Sequence, residues 1–342
     1  MHRCIELAKL GAGYVAPNPM VGAVLVYEDK IIGEGYHALY GQAHAEVNCL
    51  NSVKEEDKHL IPLSTLYVSL EPCAHYGKTP PCSNLIIQKK IPKVIIGCSD
   101  PFKEVNGKGI ERLQAAGVEV VTGVLENECR LLNKRFFVFH TQHRPFIVLK
   151  WAQTANGKIA NNTGERLFIS NEFTNRLVHK WRSEEMGILV GTNTVFADDP
   201  QLNNRLWNDK QPVRLIVDMN LRLPSSLKIF DKQQPTVIFN KIKQEQEDNL
   251  LYYQVTDDVS IIHQILNACY QMNIQSILIE GGAKLLQSFI DEDAWDEARI
   301  ITNEKLYVDG LSSPQLNNNI IINSEHIFND RIDYFTRIST KA

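Results

Sequence analysis

Four residues in the first half of the chain have the types and spacing of a zinc site that activates water. His44-Ala45-Glu46 forms one motif, and Cys73 and Cys82, each preceded by proline, form the other. One imidazole and two thiolates suit Zn²⁺, and three protein ligands leave the fourth position of the ion to water. The metal lowers the pKa of that water towards neutrality, which makes it a nucleophile. We therefore predict that His44, Cys73 and Cys82 bind zinc.

Glu46 lies two residues after the predicted histidine ligand, close enough to take the proton of the water without binding the metal. Hydroxide attack on an amidine-like ring carbon, with one carboxylate moving the protons, is the chemistry of a nucleobase deaminase. The general deaminase signature has two residues between its cysteines, whereas eight separate Cys73 from Cys82. His75 in this longer loop is a competing ligand. A structural zinc site is the other interpretation, but such a site needs no acid and usually has four protein ligands.

The composition favours a protein of two domains that acts on a small molecule. The chain has 342 residues, and one domain commonly contains roughly 100–200. The net charge is −4, and neither half has the broad basic character of a nucleic-acid binder. The sequence has no apolar run near the ~18 residues of a membrane span, and its start does not resemble a signal peptide. We therefore expect a cytoplasmic protein. The chain has seven cysteines, and this odd number argues against a disulfide framework.

Helix and strand patterns alternate in both halves and predict an α/β fold. The first half is expected to form a mixed sheet with helices on both faces. The pattern breaks at 140–145, which places the domains at 1–143 and 144–342. Segments 203–212 and 309–320 are rich in Asn, Pro or Ser and are predicted to be loops. The predicted strands are 21–27, 31–36, 65–70, 93–98, 118–122, 146–151, 187–190, 213–217, 236–239, 276–279 and 298–302. The predicted helices are 2–11, 44–50, 83–89, 109–116, 125–138, 171–184, 258–271 and 283–290.

Two strand–glycine–helix junctions stand out in the second half, at 187–194 and 278–285. A glycine at the end of a strand lets a phosphate approach the backbone N–H groups of the next helix. The G-x-G-x-x-G fingerprint of dinucleotide-binding folds is absent. A tight turn is the more common explanation for either junction alone. Residue patterning therefore predicts only an α/β domain and leaves nucleotide binding open as a hypothesis.

Three motifs in the first half resemble the bifunctional deaminase/reductases of riboflavin biosynthesis. They are Pro17-Asn18-Pro19-x-Val21-Gly22, Gly41-x-x-His44-Ala45-Glu46-Val47-Asn48 and Glu71-Pro72-Cys73-x-His75-x-Gly77-Lys78-Thr79-Pro80-Pro81-Cys82. The long loop between the cysteines is itself a feature of that family. The resemblance implies a cytidine-deaminase-like domain that deaminates 2,5-diamino-6-(5-phosphoribosylamino)pyrimidin-4(3H)-one. It also implies that the substrate is contacted by Asn18, His37, His75, Lys78 and Thr79.

The second half is similar to the reductase domain of the same family. The matching segments are 149–160, 190–202 and Glu280-Gly281-Gly282. The resemblance implies a dihydrofolate-reductase-like fold and NADPH-dependent reduction of the ribosyl group to ribityl. The implied cofactor contacts are Ala152, Phe168, Thr194, Asp198, Met219, Gly282, Ala283 and Lys284. The implied substrate contacts are Arg166, Arg182, Leu202, Arg205 and Glu280. Lys150 and Glu280 are the candidates for protonating the ribose ring as it opens.

One departure from the family pattern concerns the reductase half. The family usually has Leu-Asp-Gly where this chain has Ala155-Asn156-Gly157, and Asn156 keeps the hydrogen-bonding shape of the acid but not its charge. A deaminase with a catalytically inactive reductase-like domain is therefore the alternative function. A third hypothesis is a zinc-stabilised interaction protein without activity. Glu46 argues against it, because a structural zinc site needs no acid. We also expect a homo-oligomer, either a dimer or a tetramer.

Overall fold

The computed structural model describes residues 1–76, 80–102, 105–161 and 167–338. The chain divides into two compact units, Met1–His143 and Arg144–Ala342. Each unit has its own sheet and its own hydrophobic core. In these described ranges, no helix has both the length and the apolar character that crossing a bilayer requires.

The first unit is built on a five-stranded mixed sheet. Its strands are β1 (Gly22–Tyr27), β2 (Lys30–Tyr36), β3 (Thr65–Leu70), β4 (Lys93–Cys98) and β5 (Glu119–Val121). Its helices are α1 (His2–Lys9), α2 (Ala45–Asn51), α3 (Cys82–Gln88), α4 (Lys108–Ala115), α5 (Glu126–Leu132) and α6 (Lys134–Gln142), with a 3-10 helix at Glu55–Leu63. The strand order is β2-β1-β3-β4-β5. Strand β1 is antiparallel to both neighbours, whereas β3, β4 and β5 are parallel.

Close contact between α2 and β2 positions the start of α2. A Cβ atom on Gly35 of β2 would lie 2.2 Å from the backbone nitrogen of Cys49, and one on Gly33 would lie 2.7 Å from the Cys49 carbonyl oxygen. Because real Cβ atoms do not approach backbone so closely, only glycine allows the helix to pack here. The packing fixes the position of His44, the N-cap residue of α2.

The prediction of a single helix over 125–138 is wrong. The structure has two helices there, α5 and α6, which are separated by Asn133. The Asn133 side chain accepts a hydrogen bond from the backbone nitrogen of Met20 at 2.8 Å and donates one to the Met20 carbonyl oxygen at 2.9 Å. This pair of bonds attaches the helical segment to the loop before β1. Asparagine favours such contacts over the interior of a helix.

The second unit contains a ten-stranded sheet and a separate two-stranded one. Its strands are β6 (Phe146–Thr154), β7 (Lys158–Ala160), β8 (Gly187–Gly191), β9 (Val213–Val217), β10 (Thr236–Asn240), β11 (Glu245–Glu247), β12 (Leu250–Gln254), β13 (Ser276–Gly281), β14 (Glu297–Asn303), β15 (Leu311–Ser312), β16 (Asn319–Ile327) and β17 (Asp330–Arg337). Its helices are α7 (Glu172–Glu184), α8 (Thr192–Asp198), α9 (Ile261–Gln271) and α10 (Ala283–Asp291), with a 3-10 helix at Lys228–Phe230.

The large sheet has the order β11-β12-β10-β9-β8-β13-β6-β14-β17-β16. Strands β12 to β14 in that order are parallel, so their carboxyl ends lie along one edge of the sheet. Helices follow β8 and β13 directly at that edge. Ligands of open α/β sheets bind outside the carboxyl ends of the strands, and the residues implied as reductase contacts are concentrated there.

The sequence did not predict the hairpin β16–β17, and the predicted loop 309–320 is interrupted by β15 and by the start of β16. Strand β16 is at the edge of the sheet, and Ile320, Ile321 and Ile322 are each more than half exposed. A strand that is exposed on both faces lacks the alternation of apolar and polar residues that marks a half-buried strand.

Candidate active sites

His44, Cys73 and Cys82 form a cluster in which the three ligand atoms lie within 4.8 Å of one another. The Nδ1 atom of His44 is 3.6 Å from the Cys73 sulfur and 3.4 Å from the Cys82 sulfur. A tetrahedral zinc ion bound at about 2.3 Å to sulfur and about 2.0 Å to nitrogen would separate those atoms by roughly 3.5 Å. The donor set and its spacing therefore fit zinc. In the described ranges, His75 does not belong to the cluster.

The backbone around the two cysteines is fixed by α3, which begins at Cys82. The Cys82 backbone nitrogen donates to the Cys73 sulfur at 3.2 Å. The carbonyl oxygen of Cys73 accepts from both the backbone nitrogen and the hydroxyl of Ser83, at 3.2 and 3.0 Å. These bonds hold the two ends of the loop together, although residues 77–79 between them lie outside the described residues.

Hydrogen bonding within the cluster changes the pKa of each of its three side chains. The contact between the two thiols lowers the pKa of Cys73 to about 4 and raises the pKa of Cys82. The hydrogen bond to Cys73 raises the pKa of His44. Cys73 is therefore the more acidic of the two thiols, and a divalent cation would favour the thiolate form of both.

Glu46 lies in the first turn of α2 and is only 3% exposed. Burial raises the pKa of Glu46 to about 7, and the charge of the Cys73 thiolate adds to this effect. A carboxyl group that changes protonation near neutral pH is suited to general acid–base catalysis. Its position beside the ligands agrees with the predicted role in moving protons.

Asn18 and His37 lie beside the cluster of His44, Cys73 and Cys82. The Nδ1 atom of His37 is 3.0 Å from the Ala43 carbonyl oxygen and donates to it, so its Nε2 atom accepts from Asn18 Nδ2 at 3.1 Å. The His37 ring meets the His44 ring edge-on, with centroids 5.4 Å apart. Burial lowers the pKa of His37, which keeps the ring neutral. Two of the predicted substrate contacts are thus close to the predicted metal.

The other three implied contacts of the first unit have different outcomes. His75 packs edge-on against Phe102 with ring centroids 6.0 Å apart, and its Nδ1 atom is buried with no hydrogen-bond partner among the described residues. Lys78 and Thr79 lie outside the described residues. Their contacts remain predictions.

Glu71 is a residue whose role the sequence did not reveal. It is 3% exposed, and its carboxylate accepts four backbone N–H bonds from the segment that leads into α4. The donors are Asp100 at 3.2 Å, Gly107 at 3.0 Å, Gly109 at 2.9 Å and Ile110 at 3.3 Å. Glu71 therefore joins the end of β3, two residues before Cys73, to the start of α4. The Glu-Pro-Cys motif could be recognised in the sequence, but the backbone groups that donate to Glu71 are about thirty to forty residues away along the chain.

In the second unit, Glu280 is bound by two cations. Arg182 donates from Nε and Nη2 to its two oxygens, each at 2.7 Å, and Lys150 Nζ is 3.9 Å away. Burial opposes ionisation of Glu280, but Arg182 and then Lys150 outweigh it and lower its pKa to about 2. The stabilisation from this pairing is present above pH 4.5, the ordinary value, and is lost as the pH falls through about 2. Glu280 is therefore a carboxylate at neutral pH.

The strand register explains why Lys150 and Glu280 meet. Ile279 of β13 pairs with Leu149 of β6, so the next residue of each strand lies side by side. The pairing of β13 with β8 shifts between Ile279 and Gly281, which makes Glu280 the extra residue of a β-bulge. A bulge redirects a side chain and is common beside active sites. Burial lowers the pKa of Lys150.

The starts of α8 and α10 meet at the carboxyl edge of the sheet. Gly282 has φ +58°, and a Cβ atom on Gly281 would lie 3.1 Å from the Thr194 side chain. Backbone N–H groups at the start of a helix suit a phosphate. The residue types at this junction are therefore compatible with a phosphate of NADPH. Ala283 and Lys284 begin α10, Asp198 ends α8, Met219 follows β9, and Ala152 lies in β6.

Three other implied residues of the reductase lie outside the starts of α8 and α10. Phe168 is 67% exposed, and its carbonyl oxygen accepts from Lys305 Nζ at 2.9 Å. Leu202 packs its side chain in the core and has φ +50°, so a contact with substrate would be made by its backbone. Arg205 donates from Nη1 to Asn203 Oδ1 at 2.9 Å. Arg166 lies outside the described residues.

Asn156, which departs from the family pattern, pairs with the backbone of Tyr307. Its Nδ2 atom donates to the Tyr307 carbonyl oxygen at 2.6 Å, and its Oδ1 atom is 3.3 Å from the Tyr307 nitrogen and accepts from it. Thr154 Oγ1 also donates to Asn156 Oδ1 at 2.7 Å. A carboxylate could not donate to a carbonyl, so this contact uses the amide that distinguishes the chain from its family.

Comparison with known proteins assigns a class to each unit. Residues 1–98 match the cytidine and deoxycytidylate deaminase zinc-binding region, and residues 145–306 match the RibD C-terminal domain. The fold and the two sites thus define a zinc-dependent nucleobase deaminase followed by a reductase. The resemblance seen in the sequence and the predicted α/β fold of both halves are confirmed.

The similarity to characterised relatives extends over nearly the whole chain. Riboflavin biosynthesis protein RibD of Aquifex aeolicus (strain VF5) is 41% identical over 91% of this chain and 88% of its own length. The corresponding protein of Bacillus amyloliquefaciens is 40% identical over 87% and 81%. The crystal structure of a diaminohydroxyphosphoribosylaminopyrimidine deaminase/5-amino-6-(5-phosphoribosylamino)uracil reductase from Thermotoga maritima has a TM-score of 0.89 and 35% identity, covering 98% and 97% of the two chains.

The chain belongs to the RibD family of riboflavin biosynthesis proteins. It is a bifunctional enzyme with a deaminase that uses zinc and a reductase that uses NADPH. The comparisons give no support to the alternative of an inactive reductase-like domain.

The substitution Glu71→Gln is expected to weaken zinc binding. The amide side chain would present one acceptor and one unwanted donor to four N–H groups, and loss of bonds to a charged group costs about 1.5–3 kcal/mol each. Outer contacts of this kind change metal affinity by about 10- to 100-fold. Competition with a zinc chelator measures the affinity, with Glu119→Gln on the exposed Lys93–Glu119 pair as the matched control. Equal zinc affinity in both variants would contradict the role given to Glu71.

Proposed function

We propose that the first unit deaminates 2,5-diamino-6-(5-phosphoribosylamino)pyrimidin-4(3H)-one with His44, Cys73 and Cys82 as its zinc ligands. The observation that carries this assignment is the distance from His44 Nδ1 to the two sulfurs, which fits one tetrahedral ion. Zinc, when bound, supplies an activated water. The substrate comes from the likeness to relatives whose names state it, such as the Thermotoga maritima enzyme.

Glu46 moves the protons of this reaction. It takes one proton from the attacking water and delivers it to the ring nitrogen as the C2–O bond forms. It then takes the second proton from the new hydroxyl and passes it to the amino group, so that the C2–N bond breaks, ammonia leaves and the carbonyl forms. Asn18 and His37 orient the pyrimidine, because their hydrogen-bonded pair lies next to His44. His75, Lys78 and Thr79 are proposed as further substrate contacts, and the positive charge of Lys78 suits the phosphate.

The second unit is proposed to reduce the ribosyl group of 5-amino-6-(5-phosphoribosylamino)uracil to ribityl. NADPH, when bound, supplies the hydride for C1′ of the sugar. The junction of Thr194 with Gly281-Gly282 is compatible with a cofactor phosphate at the start of α10. The proposed cofactor contacts are Ala152, Phe168, Thr194, Asp198, Met219, Gly282, Ala283 and Lys284. The proposed substrate contacts are Arg166, Arg182, Leu202, Arg205 and Glu280.

Lys150, rather than Glu280, is the proton donor that the geometry favours. Opening of the ribose ring breaks the C1′–O4′ bond, and the oxygen needs a proton. Glu280 is ionised at neutral pH and has none to give, whereas the Lys150 ammonium carries one and burial makes it more acidic. Glu280 holds Lys150 and Arg182 in place. We therefore propose Lys150 as the donor of the two candidates.

Replacement of Glu46 by glutamine tests the deaminase assignment. Ammonia release is expected to fall by about 10²–10⁴-fold, the usual effect of removing a general acid–base group. Zinc content should remain at about one ion per chain, because Glu46 is not a ligand. NADPH oxidation with the deaminated pyrimidine should be unchanged. Glu55→Gln, at a carboxylate that is 86% exposed, is the control. Loss of zinc from the Glu46 variant would mean that its role is misassigned.

Replacement of Lys150 by methionine tests the reductase assignment. The turnover number for NADPH oxidation is expected to fall by about 10²–10⁴-fold, since methionine fills the space without a proton. Because the donor must be protonated and burial lowers its pKa, the wild-type rate should decline with rising pH below the ordinary lysine range. Glu280→Gln should lower the rate less, and Lys232→Met on an exposed lysine should not change it. An unaltered rate in the Lys150 variant would exclude it as the donor, and an unaltered rate in Glu280→Gln would remove Glu280 from the mechanism.

We further propose that the chain forms a homo-oligomer through β16. This strand is the last of the large sheet in the described part of the chain, and it carries Ile320, Ile321 and Ile322, which are 52–58% exposed. Unpaired apolar edges associate with other strands, and a second copy can pair two such edges symmetrically.

A cytoplasmic location remains a prediction, which the free buried thiols support because disulfides are rare there.

Sedimentation velocity tests the proposed interface at micromolar concentration. The wild type is expected to sediment as a dimer or tetramer, and Ile321→Lys should shift it towards the monomer because a charge would be buried at the contact. Ile242→Lys, at an isoleucine that is 60% exposed away from β16, should behave as the wild type. A monomeric wild type, or an Ile321 variant that assembles normally, would contradict the proposal.

A further inference from the structure

The segment Gln201–Arg205 in the second unit is held by side chains from several other elements. It contains Leu202 and Arg205, both of which belong to the proposed substrate site. The carbonyl oxygens of Gln201, Leu202 and Asn203 accept from Arg214 Nε at 2.9 Å, Gln234 Nε2 at 3.3 Å and Arg182 Nη1 at 3.1 Å. The Asn204 backbone nitrogen donates to Gln211 Oε1 and its carbonyl oxygen accepts from Gln211 Nε2, each at 2.7 Å. The Arg205 backbone nitrogen donates to His179 Nδ1 at 3.3 Å. Five different side chains therefore determine the path of five residues.

The backbone of this segment is strained, which shows that the surrounding bonds determine its shape. Leu202 has φ +50°, a left-handed conformation that is unfavourable in a residue other than glycine. Its side chain is 3% exposed and packs in the core with Val190 and Ile216. Strain of this kind persists where neighbouring contacts over-determine the backbone, and it is common at ligand sites.

Helix α7 supplies two of these five side chains from one face. His179 and Arg182 are three residues apart, so they lie on the same side of the helix. Arg182 bonds both Asn203 and Glu280, and His179 bonds the backbone of Arg205. A single helix face thus sets the position of the acid at the end of β13 and of the segment that carries Arg205.

The His179 ring is suited to accept a hydrogen bond permanently. It is 5% exposed. Burial lowers its pKa to about 4, and the charges of Arg182 and Arg205 act in the same direction. The neutral ring accepts at Nδ1, so its proton is on Nε2.

We propose that His179 is a positioning residue of the reductase, which fixes the backbone of Arg205 so that its guanidinium is in place before the phosphoribosyl substrate binds. The proposal rests on the proposed substrate role of Arg205. Arg205 Nη1 is already bonded to Asn203 Oδ1, whose own carbonyl is fixed by Arg182. Preorganisation of this kind lowers the cost of binding, and its loss would affect substrate affinity more than the chemical step.

Replacement of His179 by leucine removes the acceptor at similar volume, and replacement by asparagine keeps an oxygen near the position of Nδ1. With leucine, KM for the deaminated pyrimidine is expected to rise about 3- to 10-fold, the usual effect of losing one neutral hydrogen bond. The turnover number and KM for NADPH should stay within about twofold. With asparagine, KM for the pyrimidine should return to within about twofold of the wild type. Ammonia release by the same samples should be unchanged, because the deaminase residues lie in the first unit.

Several outcomes would overturn the proposal. An unchanged pyrimidine KM in His179→Leu would do so, as would an equal rise in His179→Asn. A parallel loss of NADPH binding and turnover would show that His179 only supports packing. Arg205→Ala separates this proposal from the one on which it rests: an unchanged KM in that variant removes Arg205 from the substrate site. If Arg205→Ala raises KM, the double variant should raise it by less than the product of the two single effects.

Discussion

Both active centres place charged groups where water is scarce, and much of the surrounding structure compensates those charges. In the first unit, the His44 imidazole lies 3.4 and 3.6 Å from the two cysteine sulfurs, and a divalent cation would neutralise the thiolates of this cluster. In the second unit, the buried carboxylate of Glu280 is matched by Arg182 and Lys150. Removing one member of such a set leaves an uncompensated buried charge, which is more costly than losing a surface ion pair.

The elements behind each centre are shaped to maintain this geometry. Glycines in β2 let α2 approach closely enough to place His44 and Glu46. Glu71 joins the strand before Cys73 to the start of α4 through four backbone bonds. In the reductase, a β-bulge at Glu280 and one face of α7 have the equivalent role. The catalytic groups are few, but their positions depend on residues that never contact a substrate.

The sequence predicted what local spacing and residue chemistry determine. The cluster of candidate zinc ligands and the buried Glu46 could be found because a histidine, an acid and two cysteines have few other reasons to occur in that pattern. Most strands were found from their apolar runs, and the loop 203–212 from its polar residues. Glu71 and His179 were not found, because each acts through backbone groups in a distant segment. The hairpin β16–β17 was missed because an exposed edge strand has no alternation, and the core position of Leu202 depends on a left-handed backbone that no motif indicates.

The central claim is that one chain carries two chemistries, of which only the deamination depends on zinc. The most direct measurement removes zinc with a chelator and follows both activities in the same sample. Ammonia release from the diaminopyrimidine should be lost and should return when Zn²⁺ is added back, while NADPH oxidation with the deaminated pyrimidine continues at its original rate. Ammonia release that persists without zinc, or loss of both activities together, would contradict the account.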